Sequence, residues 1–329
     1  MAAVSKNSVT QAIVSEDEQS QRLDNYLLRI CKGVPKSHVY SIVRSGQVRV
    51  NSKRAEVSYR LQVGDILRIP PIRIAQREEE VIAGAEIKAE LPILFEDDAL
   101  LVVDKPSGIA VHGGSGVSFG VIEALRRQRP QARFLELAHR LDRETSGILL
   151  IGKKRSALVA LHDMFRDGGS GGDRAADKRY LVLVKGRWMD QLRNVKLPLL
   201  KYLQESGERR VRVSDEGKAS HTVFRLLARW QGFSLLEAEL KSGRTHQIRV
   251  HLAHLGYPIA GDDKYGDFAL NRLLVKEGLK RMFLHAWKMR LTHPVSGQSL
   301  VLEAPLPETL LSFMRGISAK EKQDYGEKI

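Results

Sequence analysis

Cysteine is all but missing: Cys31 is the only one in 329 residues, which excludes an intramolecular disulfide and a thiolate cage around a metal. Lying near the end of an apolar-periodic segment, it is assigned to packing, as a small core residue. Long hydrophobic runs are missing too. No stretch of 18 apolar residues occurs, so no spanning helix is expected. The opening MAAVSKNSVTQAIVSEDEQ has no apolar core long enough for a signal peptide. The expected location is the cytoplasm, with no membrane partner. Nucleotide signatures are absent: neither GxxxxGK[ST] nor GxGxxG occurs, and HGGSG at 112–116 has no recognised nucleotide motif around it. Nor is there a GxSxG elbow. His246 and His251 are five residues apart, on different faces of a helix, and no HExxH accompanies them, so no metal is expected. The reading is of a chain that needs no cofactor.

What the chain has is charge of one sign. Its 53 Lys and Arg against 39 Asp and Glu leave a formal net charge of +14. That favours a polyanionic partner, nucleic acid or an acidic membrane surface, over a surface that is merely basic. The excess is uneven: residues 20–72 hold ten Lys/Arg and three Asp/Glu, half of it in about a sixth of the chain. Glu78, Glu79, Glu80, Glu86 and Glu90 then turn the sequence acidic, which marks a linker. The expected organisation is a flexible tail over 1–19, a small basic domain over 20–72, a linker over 73–90, a main domain over 91–315 and a frayed polar tail over 316–329. Hydrophobic content of 43% suffices for ordinary cores in both domains.

In the basic domain, Leu23, Tyr26, Leu27 and Ile30 recur at helical spacing. A second helix is expected from Ser37 as N-cap, through Val39, Ile42 and Val43, to Gly46 at its end. QVRV then reads as a strand, Asn51-Ser52 as a turn, and DILRIP as the close of a strand pair. Lys36, Arg44, Arg49, Lys53 and Arg54 cluster about the second helix and the turn. Such a face suits RNA phosphates, because each phosphate neutralised releases counterions; a solvated charged face is the plainer alternative. The run RLDNYLLRICKGVPKSHVYSIVRSGQVRVN, residues 21–51, resembles the S4-type RNA-binding module. That likeness implies RNA binding but no chemistry.

The main domain alternates β-rich runs with turns, at 99–104, 147–153, 180–186, 233–240 and a closing pair around KMRLTHP and SLVLEAP. Helical periodicity appears at 156–165 and 246–255. The fold class is α+β, with a mixed, mostly antiparallel β-sheet.

One run stands out, AHRLDRETSGILLIGK, in which Asp142 lies between Arg140 and Arg143. Flanking guanidinium groups favour the ionised carboxylate, and a partly buried ionised carboxylate can serve as nucleophile or base. Taken alone, the tripeptide is more often an ordinary ion pair fixing a loop. Tyr180 alone would be a core tyrosine, and Arg249 a surface arginine. Three strings in order change this reading: HRLDRETSG, then Lys178-Arg179-Tyr180, then SGRTHQIRVH at 242–251. With EDDALLVVDKPSGIAVHGG, YPIAGDDKYG at 257–266 and FLHAWKMRLTHP at 283–294, they resemble the pseudouridine synthases of the large-subunit ribosomal RNA group, from residue 20 to about 310.

The resemblance implies an S4-like module joined to a pseudouridine synthase domain that isomerises uridines of 23S ribosomal RNA, free or in a large-subunit assembly intermediate, as a monomer. It implies that Asp142 attacks the ribose or the uracil, so that the base detaches, rotates and rejoins through C5. It places Tyr180 against the uracil, Arg249 in an ion pair with Asp142, Arg140 in the gap left in the RNA stack, and Ile248 and His139 at the bound nucleotide. Physics agrees with these roles, since a uracil within folded RNA must be extruded at a cost of a few kcal/mol. An inserted arginine and an aromatic platform both offset that cost. No redox or group transfer is needed. The sequence departs from the family in the glycine-rich DGGSGGDRAAD, 167–177, where a compact link is usual. Of the alternatives, a non-catalytic S4-type assembly factor has no need of Asp142, Tyr180 and Arg249 together, and a methyltransferase lacks its glycine-rich donor site.

Overall fold

The structure, a computed structural model, describes residues 8–31, 34–72, 91–113, 119–166, 176–205 and 207–326. The expected linker over 73–90 and residues 167–175 of the glycine-rich run lie outside the described residues. The described residues form two compact units, the first over 8–72 with 154–156 and the second over 91–153 with 157–326.

The first unit holds β1 (Thr10–Ile13), α1 (Leu23–Ile30), α2 (Lys36–Arg44), β2 (Arg49–Val50), β3 (Lys53–Arg54) and β4 (Ile66–Ile69). Its strands lie in the order β1-β4-β2-β3, antiparallel throughout. Leu23, Tyr26 and Leu27 share one face of α1 and meet Val39, Ile42 and Val43 of α2 over Val50, Leu67 and Ile69 of the sheet. Cys31 is buried in the same core. Asn51 and Ser52 both take positive φ, 49° and 65°, the conformation of a two-residue hairpin turn whose twist matches its strands. Gly46, at φ 74°, ends α2, and the Gln47 amide donates to the Ile42 carbonyl at 3.0 Å, as a left-handed helix terminus does.

Two expectations change here. Helix α2 starts at Lys36 behind an extended Pro35, so Ser37 lies inside the first turn and does not cap it. Residues 10–13, assigned to a flexible tail, form β1, because Ala12 and Val14 are buried in the core beside β4.

The second unit runs β5 (Ile93–Glu96), β6 (Leu100–Lys105), α3 (Val121–Gln128), β7 (Glu136–Leu137), β8 (Ser146–Gly152) and α4 (Arg155–Phe165). It continues through β9 (Asp177–Lys185), β10 (Leu192–Val195), β11 (Leu199–Leu203), β12 (Arg209–Val213), β13 (Thr222–Arg229) and β14 (Phe233–Leu240). It closes with α5 (Gln247–His254), α6 (Phe268–Lys276), β15 (Leu284–Thr292), β16 (Ser299–Glu303) and α7 (Glu308–Lys320). The main sheet has the order β10-β13-β14-β9-β15-β8-β6-β5, with β16 on β15 and β7 on β8. Among the described residues every pairing in it is antiparallel but one, β15 with β8. At that parallel seam Gly147 has φ 107°, and a Cβ there would stand 2.2 Å from the Ala286 carbonyl oxygen. Only glycine fits. The sheet is therefore mixed and mostly antiparallel.

The tail expected from 316 is ordered to Gly326. Helix α7 runs on to Lys320, and Leu310, Phe313, Met314 and Ile317 pack on Leu183, Trp230 and Phe283. Beyond it, Asp324 pairs with Arg187 at 2.6 Å and Arg229 at 2.8 Å. The polar string hides an apolar stripe at i, i+3, i+4 and i+7.

Candidate active site

Asp142 lies on the turn between β7 and β8, where its carbonyl accepts from the Thr145 amide at 3.1 Å. A buried lysine fixes that turn. Lys105, at the end of β6, is wholly buried and donates to the carbonyls of Pro106 (2.8 Å), Ile109 (2.8 Å) and Arg143 (3.0 Å). Burial pushes its ammonium down to about 7. The Gly108 amide and the Ser107 hydroxyl add bonds to the carbonyls of Arg143 and Glu144, so the KPSG turn and the Asp142 turn form one body. Sequence reasoning did not single out Lys105. The signal available was a charge at the end of the apolar strand LLVVDK.

Helix α5 supplies the opposite wall. Gln247, Ile248, Arg249, Val250, His251 and Leu252 are all buried, so the helix has no solvent face in that stretch and its polar groups need internal partners. Gln247 donates to the His221 carbonyl and the Thr222 hydroxyl, and accepts from Ser242 Oγ and the Arg244 amide. The SGRTHQ turn is thereby closed on itself. His251 lies between Ser220, Thr222 and the Leu197 carbonyl at 2.9–3.1 Å, its pKa pushed down to about 4 by burial. It is a satisfied core histidine.

Arg249 is 3% exposed and serves three carboxylates. Its Nε and Nη2 grip Asp262 bidentately at 2.7 Å each, Nη2 reaches Asp263 at 3.2 Å, and Nη1 reaches Asp142 Oδ2 at 3.2 Å. Burial opposes charge on this guanidinium, but the bonds from Asp262 and the fields of Asp262 and Asp142 outweigh it and raise its pKa. The same ion pair outweighs burial at Asp262, itself 1% exposed, and holds its carboxyl low. Asp262, within YPIAGDDKYG, is a second residue whose part was not foreseen. It orients Arg249, which in turn fixes one oxygen of Asp142.

His246 caps α5 in the left-handed region at φ 54°, unusual for a residue other than glycine. Its Nδ1 lies 2.8 Å from the Tyr265 hydroxyl, which itself accepts from the Val211 amide at 3.0 Å. Its Nε2 lies 3.7 Å from Asp142 Oδ2.

Tyr180, on β9, is 7% exposed. Burial and the neighbouring charge of Asp142 raise its pKa, so the phenol stays neutral. Asp142, Tyr180, Arg249, Ile248, Arg140 and His139 all line one cavity of about 280 Å³, with Lys178, Phe165 and Leu284. A second cavity of about 360 Å³ shares Arg140, Asp142, His246 and Arg249 with it, so Asp142 stands where two spaces meet. Its side chain is 21% exposed, and Arg140 is exposed beside it. Ile248 is buried at 4%. His139 accepts from the Leu150 amide at 3.1 Å and meets the Phe165 ring edge-on at 5.4 Å. Burial and the charge of Lys178 push its pKa down to about 3. His139 supports the cavity wall with its Nε2 already engaged.

The five basic residues of the first unit are Lys36 and Arg44 on α2, Arg49 on β2, and Lys53 and Arg54 on β3; all are exposed. None has an acidic partner among the described residues: Asp24 is taken by Arg22, Glu18 by Arg29, and Asp65 by Asn51 and Tyr59.

Comparisons with known proteins match the chain in sequence and in fold. A family model described as RNA pseudouridylate synthase matches residues 99–254, and one described as S4 domain matches 21–67. "Ribosomal large subunit pseudouridine synthase C" of Pasteurella multocida (strain Pm70) is 53% identical over 98% of this chain and 98% of its own. The protein of that name from Escherichia coli (strain K12) is 51% identical over 92% of this chain and 95% of its own. The solved structure of "Human RNA Pseudouridylate Synthase Domain Containing 1" covers 73% of this chain and 91% of its own at a TM-score of 0.57 and 22% identity, a likeness of fold alone. No helix among the described residues is long and apolar enough to cross a membrane. The chain belongs to the RNA pseudouridylate synthases.

Proposed function

We propose that this chain converts particular uridines of 23S ribosomal RNA, free or in a large-subunit assembly intermediate, to pseudouridine, with Asp142 as the nucleophile and the protein acting as a monomer. The observation that carries the reading is a carboxylate held by a buried arginine on one side and open, on the other, to a cavity walled by a neutral tyrosine. Two relatives above half identity are named for the large ribosomal subunit, and the exposed cations of the first unit, without acidic partners among the described residues, suit a polyanion.

In this reading the target nucleotide swings out of the RNA into the cavity, and Arg140, exposed at its edge, fills the stack left behind. Tyr180 and Ile248 bracket the uracil, and apolar walls keep the detached base from escaping. Asp142 attacks the ribose or the base. The C1′–N1 bond breaks, the base turns, and C5 bonds to C1′ as its proton leaves. Arg249 keeps the carboxylate aimed, which is worth most when nothing has to reorganise during the reaction. The test is a map of pseudouridine across the large-subunit RNA of cells lacking the protein. Sites that vanish and return with the wild-type chain, but not with Asp142→Asn, are expected; an unchanged map overturns the proposal.

A further inference from the structure

We infer that Lys178 donates a hydrogen bond to a carbonyl oxygen of the extruded uracil and holds the negative charge that gathers there while the base is detached. This rests on reading the cavity as a pseudouridine synthase centre. Side chains alternate along a strand, and β9 follows the rule: Lys178 and Tyr180 line the cavity that holds Asp142, while Asp177 and Arg179 face a different space with Glu237. Lys178 therefore emerges on the same face as the tyrosine, two residues before it.

Its surroundings leave its donors unused. The ammonium lies 4.9 Å from the centre of the Phe165 ring. Gly243 lies on its other flank, where even an added Cβ would stand at an ordinary contact distance of 3.9 Å from Nζ. Among the described residues no carboxylate or carbonyl takes a bond from it. Of the other polar groups of the wall, Arg249 is committed to its three acids and Gln247 to the turn. Burial lowers the lysine's pKa with no acid to offset it. A half-buried cation that has, among the described residues, only a ring face for company gains from any oxygen that enters beside it.

The reaction delivers that oxygen. If the C1′–N1 bond breaks first, its electron pair leaves with the base and spreads over O2 and O4. If Asp142 first adds to C6, the pair of the C5–C6 double bond moves to O4. By either course the C1′–N1 bond breaks, a pair returns to form the C5–C1′ bond, any bond to Asp142 breaks, the C5 proton departs and N1 takes one up. Lys178 keeps its own proton throughout and stabilises charge only at the stage where charge exists.

The test compares wild type with Lys178→Met, which retains the stem and removes the charge, on unmodified 23S RNA transcribed with 5-tritiated uridine. Single-turnover tritium release at saturating RNA is expected to fall at least about tenfold. RNA affinity should stay within about threefold, with an unchanged salt dependence. The melting temperature should hold or rise, because an unpaired cation has been removed. A smaller fall in rate overturns the inference. So does a loss confined to affinity with a shallower salt slope, which assigns Lys178 to a phosphate. A wild type that releases no tritium overturns the functional reading itself, and this inference with it.

Discussion

The two units of the chain deploy positive charge in opposite ways. In the first, five cations around α2 and the β2-β3 hairpin are exposed and lack acidic partners among the described residues. In the second, Arg249 is buried and divided among three carboxylates. Exposed charge acts through space, adds up in increments and is screened by salt. Buried charge acts through geometry, and removing one member leaves the others stranded. Substitutions in the first unit should therefore change affinity by degrees, whereas those in the second should change folding or rate abruptly.

The sharpest way to break this contrast is Arg249→Met. It strands Asp262 at 1% exposure, at an expected cost of about 3–5 kcal/mol in stability, read from urea unfolding. A loss under about 1 kcal/mol would mean that the network carries no more than a surface pair does. Lys105→Met comes next. It leaves three carbonyls at the Asp142 turn without their shared donor, and about 2–3 kcal/mol is expected. Tritium release should fall with it even in the fraction that remains folded, because the turn carries Asp142.

A pH titration sharpens the comparison further. His139 is held at about 3, and His251 and His285, the latter buried on β15 with its Nδ1 2.8 Å from the Ser146 hydroxyl, at about 4, each chiefly by burial. Their folded values lie below the ordinary 6.5, so the unfolded chain takes up protons that the folded one refuses. The stability these rings contribute is complete above about pH 6.5 and falls as pH drops toward 4. On unfolding near pH 5 these rings should take up roughly three protons from solvent, seen as the slope of unfolding free energy against pH. A flat profile between pH 6.5 and 5 would contradict their burial as neutral rings.

The smallest effect per residue belongs to the first unit. Replacing Lys36, Arg44 and Lys53 together by glutamine should lower the slope of log affinity against log salt by up to about three. The single-turnover rate at saturating RNA should not change. An unchanged salt slope would move the RNA footprint away from α2 and the hairpin.

Legibility in the sequence follows the range of the interactions. Asp142, Tyr180 and Arg249 each sit in a short string whose residue types carry chemistry, and their order along the chain was visible. Lys105 and Asp262 were not read, because each acts on residues brought near only by the sheet and α5: Lys105 on the Arg143 carbonyl 38 positions away, Asp262 on Arg249. Strands β6, β8, β9 and β14 showed as β-rich runs because the sheet buries them heavily. Strand β13 escaped notice, since TVFRLLAR mixes arginines into its alternation and finds its register only between β10 and β14. The end of helix α7 is hidden in the sequence, because the charged residues after Ile317 mask an apolar stripe that begins before 316. His139 was expected at the nucleotide. It lines the cavity, but its bond to the Leu150 amide could not be foreseen from a motif.

The central claim is that Asp142 performs the isomerisation, and tritium release from RNA carrying 5-tritiated uridine tests it most directly. Wild type should release one tritium for each pseudouridine formed, while Asp142→Asn, of the same shape and lacking the charge, should release none above background on the same RNA. Equal release by the two proteins would contradict the account.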